Sequence, residues 1–259
     1  MASAVFLMHL LSCELNVNFM RIVFNILLVL LISSCRQSEQ KQTVAEQEGK
    51  VGEWHDLLHG DSLTGWHLYN AGNAASKWKV QQGELICDPH KADGVFGDLI
   101  TDKEYQDFEL DLEWKVNKGG NSGILINVKE DSAYAATFAT GLEMQLLDNQ
   151  FAEPRHQRDS THWAGCLYSV DCKAENSLPL PYGQWNKARI VQQKGKVSFW
   201  LNDKLTFERE VDSPAFHELV SNSPITAYPD FGKYASGRIA LQNHTDSVSF
   251  RNIRIKELL

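Results

Sequence analysis

Residues 108–116 read FELDLEWKV, nine positions that alternate strictly between apolar and charged. Side chains on a strand point to opposite faces in turn. Phe108, Leu110, Leu112, Trp114 and Val116 therefore share one face, and Glu109, Asp111, Glu113 and Lys115 share the other. The same period of two recurs at 141–147, 188–192, 196–201, 237–242 and 248–255, and 124–128 is a further short apolar run. Asn202-Asp203 between two such runs predicts a tight hairpin. The cluster Lys118-Gly119-Gly120-Asn121-Ser122-Gly123 predicts a turn before the strand at Ile124. No stretch carries a helical stripe of 12 or more residues, and no fixed-period repeat is present. Many short strands with turn punctuation predict an all-β, antiparallel two-sheet sandwich. Its core would include Leu110, Leu112, Trp114, Val197, Phe199, Ile239, Leu241, Phe250 and Ile253.

The chain has 259 residues and a formal net charge of −8. It has no basic block, which argues against a nucleic-acid groove. At its start, the run IVFNILLVLLI from Ile22 to Ile32 follows Arg21 and is too short to span a bilayer. Ile32-Ser33-Ser34-Cys35 then resembles a bacterial lipobox, in which the cysteine becomes a lipidated first residue. Met20 offers a start that gives a compact leader. Residues 1–35 are read as this leader, 36–52 as a polar tether, and 53–259 as the folded domain. These features predict a lipid-anchored protein of the bacterial cell envelope, facing the periplasm or the cell surface, that meets the membrane through its anchor alone. Beyond Cys35 stand Cys87, Cys166 and Cys172. Export permits a Cys166–Cys172 disulfide with Cys87 left over; three unpaired thiols are the alternative.

Two segments lack a strand pattern. Residues 148–164 are polar and carry His156 and His162, and 212–234 contain Pro214, Pro224 and Pro229. Long loops on a rigid sandwich are where function tends to sit. On the strand before the first loop, Leu142, Met144 and Leu146 take the core face. Glu143, Gln145 and Leu147 then take the other, and a carboxylate and an amide project into one groove. Asp148 falls on the core side unless a bulge re-aims it. A solvated polar face is the plainer alternative for this alternation. His162, beside Trp163 and before Tyr168, is a general base, a metal ligand or a packed loop residue. The 119–123 cluster offers backbone N–H groups and the Asn121 side chain to a ligand, or is simply a hairpin turn. Serine-hydrolase, NTPase, dinucleotide and zincin motifs are absent.

Several strings, in order along residues 54–259, carry a family likeness. They include Trp54-His55-Asp56-Leu57-Leu58 through Gly65-Trp66, Trp78-Lys79-Val80 with Gly83-Glu84-Leu85, and Tyr105-Gln106-Asp107-Phe108-Glu109-Leu110 with Glu113-Trp114. Glu143-Met144-Gln145-Leu146-Leu147-Asp148, Ala164-Gly165-Cys166-Leu167-Tyr168 and Trp185-Asn186-Lys187-Ala188-Arg189 follow. The closing strands run from Gly237 to Gln242 and from Phe250 to Ile255. Together they resemble the 3-keto-disaccharide hydrolase family. The resemblance implies a concanavalin A-like lectin/glucanase jelly roll and cleavage of glycosides already oxidised at C3. A C3 ketone acidifies the C2 proton; a base removes it, the C1 oxygen leaves, and water adds back. Such chemistry needs a base, a donor for the leaving oxygen and a group that polarises the ketone.

From residue type and placement, Glu143 and His162 are the first candidates for base and acid, and Asp148 is the next. Gln145, Asn121, Tyr168 and Trp163 are the candidates for binding the oxidised sugar. No cofactor is demanded by the sequence. A divalent metal polarising the ketone would take Glu143, Asp148 and His162 as ligands. Two rivals share the fold. A retaining glucanase would carry a strand of type E-x-D-x-x-E, but Gln145 and Asp148 stand at its second and third positions. A non-catalytic sugar-binding module would need none of these groups for turnover. The leader makes its own prediction: Cys35→Ala releases the protein from the membrane fraction, and unchanged detergent-phase partitioning of the variant would refute lipidation.

Overall fold

In a computed structural model, the strictly alternating segment is a strand, Phe108–Val116, whose exposure alternates residue by residue as the charges do. The structure describes residues 52–91 and 93–259; the leader, the lipidation site Cys35 and the tether up to Val51 lie outside the described residues. In chain order the strands are β1 (His55–Asp56), β2 (Trp66–Leu68), β3 (Trp78–Gln81), β4 (Glu84–Cys87), β5 (Leu99–Thr101), β6 (Phe108–Val116) and β7 (Asn121–Val128). They continue with β8 (Leu142–Leu147), β9 (Asn186–Gln193), β10 (Lys196–Leu201), β11 (Lys204–Glu210), β12 (Arg238–Leu241) and β13 (Val248–Glu257). Among the described residues, two short α-helices, α1 (Pro154–Arg158) and α2 (Pro214–Ser221), sit in the connections.

The strands form two antiparallel sheets. The larger runs β11-β10-β9-β6-β13-β4-β3, with β1 also beside β13; the smaller runs β2-β5-β12-β7-β8. Neighbours in each sheet are far apart in sequence, as β6 beside β13 and β12 between β5 and β7 show. This is the antiparallel two-sheet sandwich of jelly-roll type. Its core is the layer between the sheets. Leu110, Leu112, Trp114, Val197, Phe199, Ile239, Leu241, Phe250 and Ile253 are all buried there, with Trp78, Leu85 and Phe108. Trp78 packs on Phe250 with ring centroids 6.0 Å apart.

The charged face of β6 is laced to its neighbours. Glu109 pairs with Arg189 at 2.6 Å and with Lys256 at 2.6 Å, Asp111 with Arg254 at 2.8 Å, and Glu113 with Arg251 at 2.6 Å. Half-exposed pairs of this kind contribute at most about 1 kcal/mol each, so the apolar face of β6 holds the sheets together and the charged face selects register. The β10–β11 hairpin turns at Asn202 and Asp203, whose φ angles of 48° and 64° are the left-handed pair a tight two-residue hairpin requires.

Four local expectations change. The turn before β7 is confined to Lys118–Gly120, where the Gly120 amide donates to the Asn117 carbonyl at 2.8 Å; Asn121, Ser122 and Gly123 are already strand. They extend because Asn121, Ser122 and Gly123 each find a partner on β8, at Leu147, Leu146 and Gln145. Leu147 is fully buried in the same apolar cluster as Ala152 and Ala164, because the following loop folds back over the end of β8. The loop itself contains α1 and a 3-10 turn at Ser160–His162. The 212–234 segment contains α2, capped by Ser213, whose hydroxyl accepts from the Phe216 amide at 3.2 Å, with Pro214 in its first turn. Of the two readings for the thiols, the paired one is present: Cys166 is disulfide-bonded to Cys172, and Cys87 is a buried free thiol.

Truncating Phe250 or Leu110 to alanine removes packing at the centre of both sheets. Each variant should lose about 2–5 kcal/mol of unfolding free energy, measured by urea titration; a loss below about 1 kcal/mol at both positions would place the core elsewhere.

Candidate active site

The smaller sheet has one face on the core and one turned away from it. Strand register fixes which residues share the outer face. Ile100 on β5 is opposite Ala240 on β12, Ala240 is opposite Leu125 on β7, and Leu125 is opposite Glu143 on β8. The row extends outward to His67 on β2 and to Tyr168, whose amide donates to the Glu143 carbonyl at 3.0 Å. Residues 165–168 thereby serve as an added edge to β8, with the Gly165 amide on the Gln145 carbonyl at 2.7 Å and the Gln145 amide on the Cys166 carbonyl at 3.0 Å. One pair along, Gln242 follows β12, with its amide on the Gly123 carbonyl at 2.9 Å, and Gly123 is opposite Gln145.

Glu143 is the centre of this surface. Its side chain crosses over Gly123, where a Cβ would collide with Glu143 Oε1. A glycine inside a strand marks a close approach of this type. The crossing delivers the carboxyl to Gln242, whose Nε2 donates to Oε1 at 3.1 Å. Gln145 Nε2 donates to Asn121 Oδ1 at 3.1 Å; turned over, the same amide would place its nitrogen 3.2 Å from Glu143 Oε1 and 3.1 Å from the Ser122 carbonyl. Glu143 is only 6% exposed. Burial, reinforced by the neighbouring Asp98 carboxyl, pushes its pKa up to about 8, although the Gln242 hydrogen bond pulls the other way. Asp98 is raised as well, by burial, against hydrogen bonds from Thr137 Oγ1 at 2.5 Å and the Asn243 amide at 2.9 Å. Near neutral pH, Glu143 is therefore a protonated acid.

Three aromatic rings stand along the free edge. His162 stacks on Tyr168, with centroids 4.6 Å apart and planes 22° apart, and His156 meets His162 edge-on at 5.1 Å. Burial lowers the pKa of both imidazoles, His156 to about 4, and raises that of Tyr168. All three stay uncharged near pH 7. His162 Nε2 is 2.8 Å from Ser169 Oγ. The His162 Nδ1, both nitrogens of His156, His244 Nδ1 and Gln242 Oε1 are buried with no hydrogen-bond partner. Buried polar atoms are ordinarily paired, so these unpartnered atoms, on the edge beside Tyr168 and at Gln242, are unusual.

The sequence candidates thus separate. Glu143, Gln145 and Asn121 form one linked group, with Tyr168 and His162 beside it. Asp148 does not join Glu143: it is five residues, about 16 Å, further along the strand direction, and its oxygens accept from the Gly119 amide at 2.8 Å and the Gln150 amide at 3.3 Å. It ties the β6–β7 turn to the loop after β8. Trp163 sits at the rim, with its indole N–H on the Gln157 carbonyl at 3.3 Å. Among the described residues no three His, Cys, Asp or Glu side chains converge on one metal position, so Glu143, Asp148 and His162 are not assembled as a ligand set. Asp98, Gln242 and His244 escaped sequence reasoning as site residues, and Gly123 and His156 were named there without the roles seen here. Two signals pointed to them: a glycine inside a strand, and the alternation Arg238, Ala240, Gln242 on the outer face. A groove of about 760 Å³ also lies on the outer face of the larger sheet, between Trp54 and Trp200. Its acids Glu109, Asp111 and Glu113 are ion-paired, and Arg254 and Lys256 cover Trp54.

A family model described as the 3-keto-alpha-glucoside-1,2-lyase-like domain matches residues 53–256, the whole sandwich. The chain belongs to this family. A 3-keto-disaccharide hydrolase from Bacteroides thetaiotaomicron is 30% identical over 225 residues, 78% of this chain and 77% of that protein. The crystal structure of a candidate glycosyl hydrolase from Parabacteroides distasonis superposes with a TM-score of 0.71 at 30% identity, covering 80% of this chain and 94% of the other. A Bacillus subtilis protein with a galectin-like fold, 10% identical, matches with a TM-score of 0.51 over 81% of this chain and 97% of its own, and shares the fold. Family membership places the protein among carbohydrate-active enzymes.

The raised Glu143 pKa has a thermodynamic signature. In the unfolded chain the carboxyl ionises near 4.5, whereas in the folded chain it holds its proton to about 8. Between these values the native state binds more protons, so the Glu143 contribution is fully present below pH 4.5 and is lost as pH rises through 8. Glu143→Gln, which mimics the protonated acid, should flatten the wild-type decline in unfolding free energy between pH 5 and 8.5 by a few kcal/mol. Parallel curves for the two proteins would mean that Glu143 is ionised in the native state.

Proposed function

We propose that this protein cleaves glycosides already oxidised at C3, by elimination followed by hydration. The observation that carries the proposal is the buried Glu143, whose pKa is raised, on the strand beside Tyr168, on which the neutral His162 ring stacks. A pair of groups whose environments push their pKa values in opposite directions supplies an acid and a base at one pH. A neutral His162 accepts a proton; a protonated Glu143 donates one.

In the proposed reaction, the base takes the C2 proton, and the electron pair passes into the C3 carbonyl as an enolate. Hydrogen-bond donors facing that oxygen stabilise it in a dry site, where they act most strongly. The electrons then return, forming the C1–C2 double bond and breaking the bond from C1 to the glycosidic oxygen, which leaves with a proton. Water adds its oxygen to C1 and a proton to C2, giving the 3-keto sugar and the free aglycone. The net change is hydrolysis, with no oxidant consumed. Gln145, Asn121 and Gln242 orient the sugar hydroxyls, and Tyr168 presents a phenol that stays protonated. On the same reading the substrate is met in the bacterial cell envelope, with the protein lipid-anchored at Cys35.

The retaining-glucanase alternative needs an ionised nucleophile about 5–5.5 Å from a protonated acid. Asp148 is committed to backbone amides, and Asp98, the carboxyl whose charge reaches Glu143, is itself buried with a raised pKa. A purely binding module has no need for a carboxyl held protonated in a buried site.

Purified protein should split a 3-keto-glucoside far faster than the parent glucoside, because without the ketone the C2 proton is too weakly acidic for a carboxylate or an imidazole. Glu143→Gln should lower the 3-keto rate by about 10²–10⁴ and remove an alkaline limb near pH 8. His162→Ala should produce a loss of similar size; whichever substitution spares the rate forfeits its role. Equal cleavage of native and 3-keto sugars would favour the glucanase, and binding without turnover of either would favour the module.

A further inference from the structure

A second concave surface lies on the outer face of the larger sheet, across the sandwich from Glu143. Strand register builds its floor. Trp200 on β10 is opposite Arg189 on β9, Arg189 is opposite Asp111 on β6, Asp111 is opposite Arg254 on β13, and Arg254 is opposite Asp56 on β1. This row crosses five strands, about 19 Å at the usual strand spacing. The groove above it, about 760 Å³, is of ligand-binding size. β13 bulges at this point: its register shifts between Arg251 and Arg254, and Asn252 takes a left-handed φ of 53°. A bulge bends a strand and re-aims its side chains. Asn252 and Asp56 line both the groove and an adjoining hollow of about 220 Å³, which extends the groove past the end of the row.

Each end of the groove carries an indole. Trp54 is 36% exposed and Trp200 is half-buried. Arg254 Cζ is 4.6 Å from the Trp54 ring centre and Arg189 Cζ is 4.9 Å from that of Trp200, contacts that fix both rings. Between them the floor is charged but paired. Glu109 binds Arg189 and Lys256, and Asp111 binds Arg254. Paired ions keep spare lone pairs and N–H groups, so the floor offers acceptors and donors with their charges cancelled. The margin sets Lys187 against Asp56 and Asp203, all exposed. A polyanion gains little from cations already paired and meets a chain of net charge −8. A cation finds the floor carboxylates taken. An apolar ligand would strip water from the ion pairs and return no hydrogen bonds. An uncharged, polyhydroxylated chain meets none of these costs: its hydroxyls bond to the paired ions, and the C–H faces of its rings pack on the indoles.

We infer that this groove is a second, non-catalytic binding site for a neutral glycan chain, held between Trp54 and Trp200 over the row Arg189, Asp111 and Arg254. The assignment is independent of the elimination reaction and of Glu143. The two surfaces lie on opposite faces of the sandwich, so a chain can occupy the groove while the Glu143 site stays free for a small oxidised sugar.

The test presents the full-length protein to an array of neutral oligosaccharides of graded length, with uronic-acid and sulfated oligosaccharides on the same surface. Neutral chains should bind, and longer ones more tightly than disaccharides. Titration with the tightest binder should change the tryptophan fluorescence. Trp200→Ala should weaken that binding about tenfold, the size of one aromatic ring taken out of contact. If this variant does not fold, Trp54→Ala, at the more exposed end, should show the same loss. Saturating 3-keto-glucose should leave the chain bound. An array with no neutral chain bound would overturn the assignment, as would a preference for the acidic chains. Displacement by 3-keto-glucose would move the chain to the Glu143 site and overturn it too, and so would full affinity in folded tryptophan variants. None of these readings uses cleavage, so the groove and the elimination reaction stand or fall separately.

Discussion

The site depends on one steric and electrostatic arrangement: a carboxyl laid across a glycine. Glu143 reaches Gln242 only because position 123 on the adjacent strand has no Cβ. That crossing takes the carboxyl out of water and brings it under the influence of Asp98, and those two effects keep its proton in place to about pH 8. An exposed glutamate at the same point on β8 would be an ordinary ionised side chain with ordinary cross-strand partners. Burial converts it into an acid that works near neutrality. The rest of the outer face follows: Gln145 and Asn121 fill the space beside the carboxyl, and the 165–168 edge brings Tyr168 alongside.

The sandwich makes that arrangement rigid. β7 and β8 present Ile124, Ile126, Leu142, Met144 and Leu146 to the core, all fully buried. Because successive residues alternate faces, the same packing that fixes these side chains fixes Glu143, Gln145 and Gly123 on the other side. Sites built on strands hold their geometry more closely than sites on loops. The loop edge is more elaborate. The Cys166–Cys172 disulfide, the Thr206 hydroxyl donating to the Gly165 carbonyl at 2.6 Å and the Asn149 side chain accepting from the Ala164 amide at 2.9 Å tie residues 164–172 to their surroundings. The two histidines and Tyr168 are carried on this tied segment or immediately before it.

Much of the fold was legible because one interaction, apolar burial, writes itself into sequence with a period of two. The nine core residues expected from alternation are all buried, and the Asn202-Asp203 hairpin turns where its residue types allow left-handed backbone. The site was legible only in part. Glu143 and Gln145 stood out because their strand is otherwise apolar, and His162 because it lies in a polar loop. The partners that give Glu143 its chemistry are 20 to 100 positions away, at Gly123, Asp98 and Gln242, and strand register brings them together; a single strand does not encode its neighbours. Asp148 illustrates the opposite failure. Its residue type suits catalysis, but backbone amides of the adjoining turn engage it. His156 was hidden because nothing local distinguishes a histidine that turns inward from one that faces solvent.

The route of cleavage is open to direct measurement at one atom. Elimination breaks the bond from C2 to hydrogen and later restores it from solvent, whereas displacement at C1 leaves that bond untouched. The substrate to use is a 3-keto-glucoside carrying deuterium at C2, cleaved in ordinary water, with the released 3-keto sugar analysed by NMR and the rate compared with that of the unlabelled compound. Elimination predicts slower cleavage of the labelled substrate and protium from solvent at C2 of the sugar released at early times, when the unreacted substrate still carries its label. Full retention of deuterium at C2, with identical rates for both substrates, would contradict it.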